Sequence, residues 1–263
     1  MKICAIALCL RVFFLGFALS GSRFAVVISA FAQGGARQAA PEDLAGYWVS
    51  VVTEDYRWRM VTPLKGDAAS VPINAAARKI VDAWDPAKDE AAGLQCKAYG
   101  APAIMRVPGR LHITWPDDNT LKIETDSGRQ TRLFHFGTAA PKGQEPSRQG
   151  HSAARWDPGV GPPPAGLGFL GTGPRVGARS RSLEVVTTNL LPGYLRKNGV
   201  PYSASVAVTE YYDHFSEANG DEWFTVTTIV NDPEYLATPF VTTTDFKKEP
   251  DGAKWSPAPC SAR

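Results

Sequence analysis

Polar and apolar residues alternate along much of this chain, which is the period of a half-buried β-strand. The pattern is clearest between residues 110 and 136, where three alternating runs (110–115, 120–125 and 129–136) are separated by two short turns. The turns read Pro-Asp-Asp-Asn and Asp-Ser-Gly, and these residue types favour chain reversal. The stretch therefore predicts an antiparallel β-meander.

Further strands are predicted on both sides of the meander. Before it, residues 46–53 are rich in strand-forming types, and residues 56–60 place large side chains at alternating positions. The strands predicted after it are 151–156, 182–188, 205–215, 222–230 and 239–248. The Asn-Gly step at 219–220 is typical of a hairpin turn and predicts that 205–215 pairs with 222–230.

One helix is predicted, at residues 74–84. Asn74 can cap its first turn, and Ile80, Val81 and Trp84 fall on one helical face. Asp85-Pro86 is expected to end it, because proline cannot continue a helix.

The count of eight to ten strands with mostly short connections predicts an all-β fold with one domain over residues 42–263. A lipocalin-like antiparallel barrel is favoured because closure leaves no exposed sheet edge. A two-sheet β-sandwich is the alternative, since strand spacing does not separate the two. Residues 137–177 are rich in Gly and Pro and are predicted to be an insertion, either a lid or a floppy loop.

Residues 1–32 have the pattern of a signal peptide. Two apolar runs are accompanied by Lys2, Arg11 and Arg23, and Ala-Phe-Ala at 30–32 matches a cleavage site. A retained membrane anchor is the alternative, but Arg11 and Arg23 leave neither run long enough to span a bilayer. The chain is thus predicted to be periplasmic or secreted, with no stable membrane span after cleavage.

Residues 33–41, which follow the leader, are small and polar and are predicted to be a linker. Three of the chain's 28 Lys and Arg residues lie in the leader, which leaves 25 against 26 Asp and Glu. A nearly neutral domain gives no support for nucleic-acid binding, which requires a concentrated basic face.

Two cysteines, Cys96 and Cys260, lie outside the leader. In an oxidising compartment such a pair is a disulfide candidate, and two unpaired thiols are the alternative. No metal site is predicted, because neither cysteine has a neighbouring Cys or His ligand.

Gly46-Tyr47-Trp48, at the head of the first strand, resembles the G-x-W signature that opens the lipocalin barrel. That resemblance implies a barrel with a cup for small apolar molecules. Residues 110–136, 185–189 and 222–227 also look like a family of exported bacterial proteins, from which no activity can be carried over.

The first functional hypothesis is binding of a small apolar or amphipathic molecule. Many aromatic side chains could line a pocket, although for any one of them a place in the core is the alternative. Arg57, Arg59 and Arg106 lie close to aromatic or apolar strand positions, and a buried arginine at a pocket mouth suits an anionic group such as a carboxylate; surface exposure is the alternative. The predicted lining residues are Tyr47, Trp48, Arg57, Trp58, Arg59, Trp115, Phe134, Tyr211 and Trp223.

The second hypothesis is an enzyme, an isomerase, hydratase or hydrolase, acting by acid–base chemistry. His112 and His135 would act with a carboxylate from Glu124 or Glu210. No standard catalytic or cofactor-binding motif occurs in the chain, so no cofactor is predicted. A third possibility, a structural role in the cell envelope, is favoured if the barrel interior is filled.

Overall fold

Nine strands close into a barrel in the computed structural model, which describes residues 35–138, 140–157 and 182–262. The strands of the chain are β1 (Gly46–Val51), β2 (Arg110–Asp117), β3 (Thr120–Thr125), β4 (Thr131–Phe136), β5 (His151–Trp156), β6 (Leu183–Thr188), β7 (Gly193–Arg196), β8 (Val200–Tyr202), β9 (Ala207–Ser216), β10 (Glu222–Asn231) and β11 (Phe240–Glu249). Strands β7 and β8 form a separate hairpin. The predicted all-β barrel is confirmed, and the sandwich is excluded because β1 pairs with both β2 and β11.

The order around the barrel is β1-β2-β3-β4-β5-β6-β9-β10-β11. Neighbouring strands are antiparallel except β4 and β5, which are parallel over three residue pairs. The predicted meander β2-β3-β4 is confirmed, as is the hairpin β9-β10. Gly220 in that hairpin has φ +87°, a conformation that side chains disfavour and that explains the Asn-Gly step.

In the part of the chain that the structure describes, four short α-helices and one 3₁₀ helix accompany the barrel. They are α1 (Tyr56–Arg59), α2 (Ala75–Ala83), α3 (Pro86–Ala91), the 3₁₀ helix Gln95–Tyr99 and α4 (Ala101–Ile104). The predicted helix is confirmed as α2, in which the Asn74 side chain accepts hydrogen bonds from the backbone N–H groups of Ala76 and Ala77.

The strand predicted at residues 56–60 was wrong, because the chain forms the single turn α1 there. Strand β1 already has a partner on each side, so the closed sheet offers no edge to a further strand. Asp55, which has φ 54°, turns the chain away from the end of β1.

One end of the barrel is covered by the helices and the β7-β8 hairpin, and we call it the capped end. Val208, Val230 and Phe240 of the barrel meet Val81 of α2 and Tyr202 of β8 there in a buried apolar cluster. The predicted disulfide is confirmed: Cys96 of the 3₁₀ helix is bonded to Cys260, which fastens the C-terminal tail to the same end.

The rest of the core fills the barrel towards its other end. Trp48, Phe134, Tyr212, Phe224 and Phe246 are among its largest fully buried side chains. The indole N–H of Trp48 donates to the backbone carbonyl of Leu44, so the segment before β1 is held against this end.

The predicted signal peptide, residues 1–32, lies outside the described residues, as does the part of the 137–177 insertion after residue 157. Within the described ranges, no helix combines the length and the apolar character that crossing a bilayer requires.

Candidate functional site

The side chains predicted to act as acids and bases lie in three separate places. His112 and Glu124 face each other across β2 and β3 on the outer wall, with Nδ1 of His112 3.4 Å from the Glu124 carboxylate. His135 lies at the opposite end of β3, paired with Thr120. Glu210 lies inside the barrel. The structure therefore brings together one His–Glu pair and leaves the other two residues apart.

His135 stacks on His151 of the neighbouring strand, with ring centroids 5.1 Å apart. Burial lowers the pKa of His135, and the nearby His151 ring lowers it further. The histidine pair therefore disfavours a proton on the His135 ring.

The predicted aromatic lining residues are also dispersed. Trp48 and Phe134 are core residues with no exposed surface, and Trp115 packs on Phe136. Tyr47 stacks flat on His112, with ring centroids 4.2 Å apart. Of the remaining three, Tyr211 and Trp223 are half-buried, whereas Trp58 lies at the capped end in a pocket.

Inside the barrel, Glu210 is bound to an arginine that the sequence analysis did not select. Both terminal nitrogens of Arg132 donate to the Glu210 carboxylate, at 2.9 and 2.6 Å, and neither side chain has exposed surface. Burial alone would lower the pKa of Arg132, but the charge of Glu210 and their hydrogen bonds raise it. Glu210 is thus part of a closed internal ion pair.

A pocket of about 330 Å³ opens beside this barrel at its capped end. Its walls come from α1 and the residues after it, from the segment that follows the 3₁₀ helix, and from the end of β7. The side chains that matter for its chemistry are Trp58, Arg59, Met60, Val61, Arg106, Leu195, Arg196 and Lys197.

Three buried arginines, Arg59, Arg106 and Arg196, converge on this pocket. Arg59 binds the Glu54 carboxylate at 3.1 Å, and Arg106 binds that of Asp55 at 2.8 Å. Among the residues that the structure describes, Arg196 forms no ion pair, and its Nη1 donates only to the backbone carbonyl of Ala69 at 2.6 Å.

The three guanidinium groups retain buried nitrogens that have no acceptor within the described parts of the chain. These nitrogens are Nη2 of Arg59, Nη1 of Arg106, and both Nε and Nη2 of Arg196. A buried charged donor without a partner is costly, so such groups are normally satisfied. Four unsatisfied donors around one pocket indicate a place for an anionic acceptor.

The pKa values of Arg196 and Arg59 also indicate excess positive charge in the pocket. Burial and, to a smaller extent, the charge of Arg106 lower the pKa of Arg196 to about 10. Burial also lowers the pKa of Arg59, where the carboxylate of Glu54 opposes the effect and Arg106 again adds to it. The positive charge in the pocket thus exceeds what the adjacent carboxylates neutralise, and a bound anion would relieve it.

The local fold explains why Arg59 points inward. Asp55 precedes α1 in a left-handed conformation and accepts a hydrogen bond from Arg106. Nε of Arg59 donates to the backbone carbonyl of Arg106 at 3.0 Å. The two arginines therefore fix α1 against the segment before β2, and each retains one buried nitrogen without an acceptor among the described residues.

Trp58 provides the aromatic wall. Two guanidinium groups lie close to its ring, with the Arg196 carbon 4.9 Å and the Arg57 carbon 5.6 Å from its centroid. The indole N–H donates to Asp67, whose pKa is lowered first by the backbone N–H of Ala69 and also by this contact. Arg57 itself is largely exposed and lies 3.6 Å from Asp67.

The pocket can therefore hold an anionic group against guanidinium donors and an apolar group against Trp58, Met60, Val61 and Leu195. Its donor set is cationic, which suits an anion rather than a metal ion. In the described residues, no three His, Cys, Asp or Glu side chains are grouped as a metal site.

The sequence pointed to Trp58, Arg57, Arg59 and Arg106 but not to Arg196, which lies at the end of β7. No local pattern points to it, because it reaches the pocket only through the β7-β8 hairpin. The sequence did contain a signal for Arg132. It shares a strand face with Phe134 and Phe136, and Glu210 shares a strand face with Tyr212.

Comparison with known proteins supplies no relative from which a role could be transferred: no family model, no curated protein and no solved structure matches this chain.

Proposed function

We propose that this chain is an exported binding protein for a small amphipathic anion, held in the arginine pocket at the capped end. The observation that carries the proposal is the convergence of three buried arginines with unsatisfied donors beside an aromatic and aliphatic wall. A carboxylate, sulfonate or phosphate would accept the free N–H groups, and the apolar part of the ligand would pack on Trp58 and Leu195.

Export is supported by the disulfide between Cys96 and Cys260, because such bonds persist mainly in oxidising compartments. It agrees with the signal-peptide pattern of residues 1–32.

Isothermal titration calorimetry with a matched ligand series tests the proposed binding. Octanoate, octan-1-ol and octylammonium share a chain and differ in the charge of the head group, and acetate lacks the chain. We expect octanoate to bind, and acetate to bind more weakly because it leaves the apolar wall uncovered. Octanol and octylammonium should not bind, because neither supplies an anion.

Arg196→Met should abolish octanoate binding, because it removes the two unsatisfied nitrogens of the pocket arginine that forms no ion pair with the described residues. Arg155→Met is the matched control, since Arg155 is an exposed arginine on the barrel wall, bound to Glu184. The proposal fails if anionic amphiphiles with carboxylate, sulfonate and phosphate heads all leave the protein unaffected. It also fails if Arg196→Met binds octanoate as tightly as the original chain.

A further inference from the structure

Exposed apolar side chains are concentrated in the segment that forms one wall of the arginine pocket. Nine large apolar side chains are exposed among the described residues, and four of them, Tyr56, Met60, Val61 and Leu64, lie within nine consecutive positions. They are 69%, 59%, 68% and 80% exposed. Isolated exposed apolar residues are ordinary, but a cluster of this kind marks a contact surface. We call residues 56–65 the docking loop.

Cationic side chains flank this apolar cluster. Arg57 and Lys65 are exposed on the docking loop itself. The carboxylates nearby are engaged: Glu54 and Asp55 bind the buried Arg59 and Arg106, and Asp67 binds Trp58 and contacts Arg57. The surface is therefore apolar at its tips and positively charged around them.

We propose that the docking loop rests on an anionic lipid surface. Aliphatic and aromatic tips with adjacent Lys or Arg are the composition of segments that bind at the membrane interface, because the tips enter the boundary of the acyl chains while the cations meet acidic head groups. Met60 and Val61 are both exposed and part of the pocket wall. The rim that meets lipid is thus also the rim of the binding site.

This arrangement gives the pocket a source of ligand. An amphipathic anion that leaves the lipid surface would pass directly under Met60 and Val61 to the guanidinium groups, without its apolar part crossing water. The transfer step rests on the proposed function, whereas the docking of the loop does not.

Co-sedimentation of the full chain with sucrose-loaded vesicles tests the docking. Vesicles of phosphatidylcholine alone are compared with vesicles that also contain phosphatidylglycerol. We expect binding to the second kind that weakens as NaCl is raised, because salt screens the attraction between exposed cations and acidic lipids.

The double variant Leu64→Glu/Lys65→Gln changes the docking loop without touching a residue of the pocket wall. We expect it to bind phosphatidylglycerol vesicles at least about tenfold more weakly, because it removes one inserted aliphatic group and one cation. Leu133→Glu is the matched control, since Leu133 is an exposed leucine on β4. All three chains share residues 1–34, so any lipid contact of that segment cancels in the comparison.

The proposal is overturned if the double variant and the control bind vesicles equally, or if phosphatidylglycerol has no effect. It is also overturned if the double variant instead abolishes self-association in sedimentation velocity, which would make the loop an interface between copies. Octanoate titration separates this outcome from failure of the pocket: the double variant should still bind octanoate, and Arg196→Met should still bind vesicles.

Discussion

Two buried arginines of this protein should respond in opposite directions to the same substitution. Arg132 lies inside the barrel and donates two hydrogen bonds to the Glu210 carboxylate. Arg196 lies at the pocket and forms no ion pair among the described residues. Methionine retains most of the length of each side chain and removes the charge. We expect Arg132→Met to destabilise the protein and Arg196→Met to stabilise it when no ligand is present.

The size of each effect follows from the environment of the charge. Burial and Arg106 lower the pKa of Arg196 from its ordinary value to about 10, which corresponds to roughly 3 kcal/mol of unfavourable free energy at about 1.4 kcal/mol per unit. Arg196→Met also loses the hydrogen bond to Ala69 and the contact with Trp58. Because Ala69 is exposed, water can replace the first of these, so a net gain of about 1–2 kcal/mol remains.

Arg132→Met leaves the Glu210 carboxylate buried without its partner, because both residues have no exposed surface. Removing one member of a buried ion pair costs about 3–5 kcal/mol. The two variants should therefore differ by several kcal/mol in the free energy of unfolding.

Urea unfolding followed by tryptophan fluorescence measures both variants against the original chain, with the ligand-free state confirmed by mass spectrometry. The pKa of Arg196 is lowered, so its charge disfavours folding at every pH below about 10. The gain in Arg196→Met should consequently be the same at pH 6 and pH 8. A loss of more than about 1 kcal/mol in Arg196→Met would refute the claim that this arginine is held at a cost.

Two further outcomes test the scaffold. Replacing Cys96 and Cys260 with serine releases a link between positions 164 residues apart, and we expect a loss of about 2–5 kcal/mol in urea unfolding, whereas an unchanged midpoint would contradict it. Burial and His151 lower the pKa of His135, so the folded protein disfavours the protonated ring. Stability is therefore unaffected by this histidine above its ordinary pKa near 6.5, and it decreases as the pH falls from 6.5 to the lowered pKa. His135→Gln should therefore flatten the dependence of the melting temperature on pH between 7 and 5, and an equally steep dependence would show that other groups cause it.

The strands of the barrel could be predicted because alternation and turn chemistry act locally. The runs that became β2, β3 and β4 each combine an apolar face with a turn at both ends, and Asn219-Gly220 sets the hairpin between β9 and β10. Residues 56–60 carry the same alternation yet form α1, because the sheet had no edge left for them. The alternation within a short segment does not depend on whether distant strands already occupy both edges of its neighbour in the sheet.

The pocket was predictable only in part, for the same reason. Trp58 and Arg59 are neighbours in the chain and could be selected as an aromatic with a cation, but Arg106 and Arg196 reach them from other segments through the cap. The internal pair of Arg132 and Glu210 could have been predicted from the sequence. Each charged residue shares the inner face of its strand with aromatic residues. A charged residue on a buried apolar face requires a partner. Where two strands carry opposite charges on such faces, the two charged residues are expected to pair with each other.

The contrast between these two arginine environments indicates how the molecule divides its tasks. In the barrel, two hydrogen bonds match the charge of Arg132 to that of Glu210, and the remaining nitrogen, Nε, has no acceptor among the described residues. At the capped end, three guanidinium groups share two carboxylates at hydrogen-bond distance and retain four unsatisfied nitrogens. A chain that can match the charge of one buried arginine with a carboxylate has no structural need to leave three others with only two carboxylates between them. Because unrelieved charge lowers stability, its concentration at one pocket is best explained by an anion that completes the site, with the barrel as the rigid support.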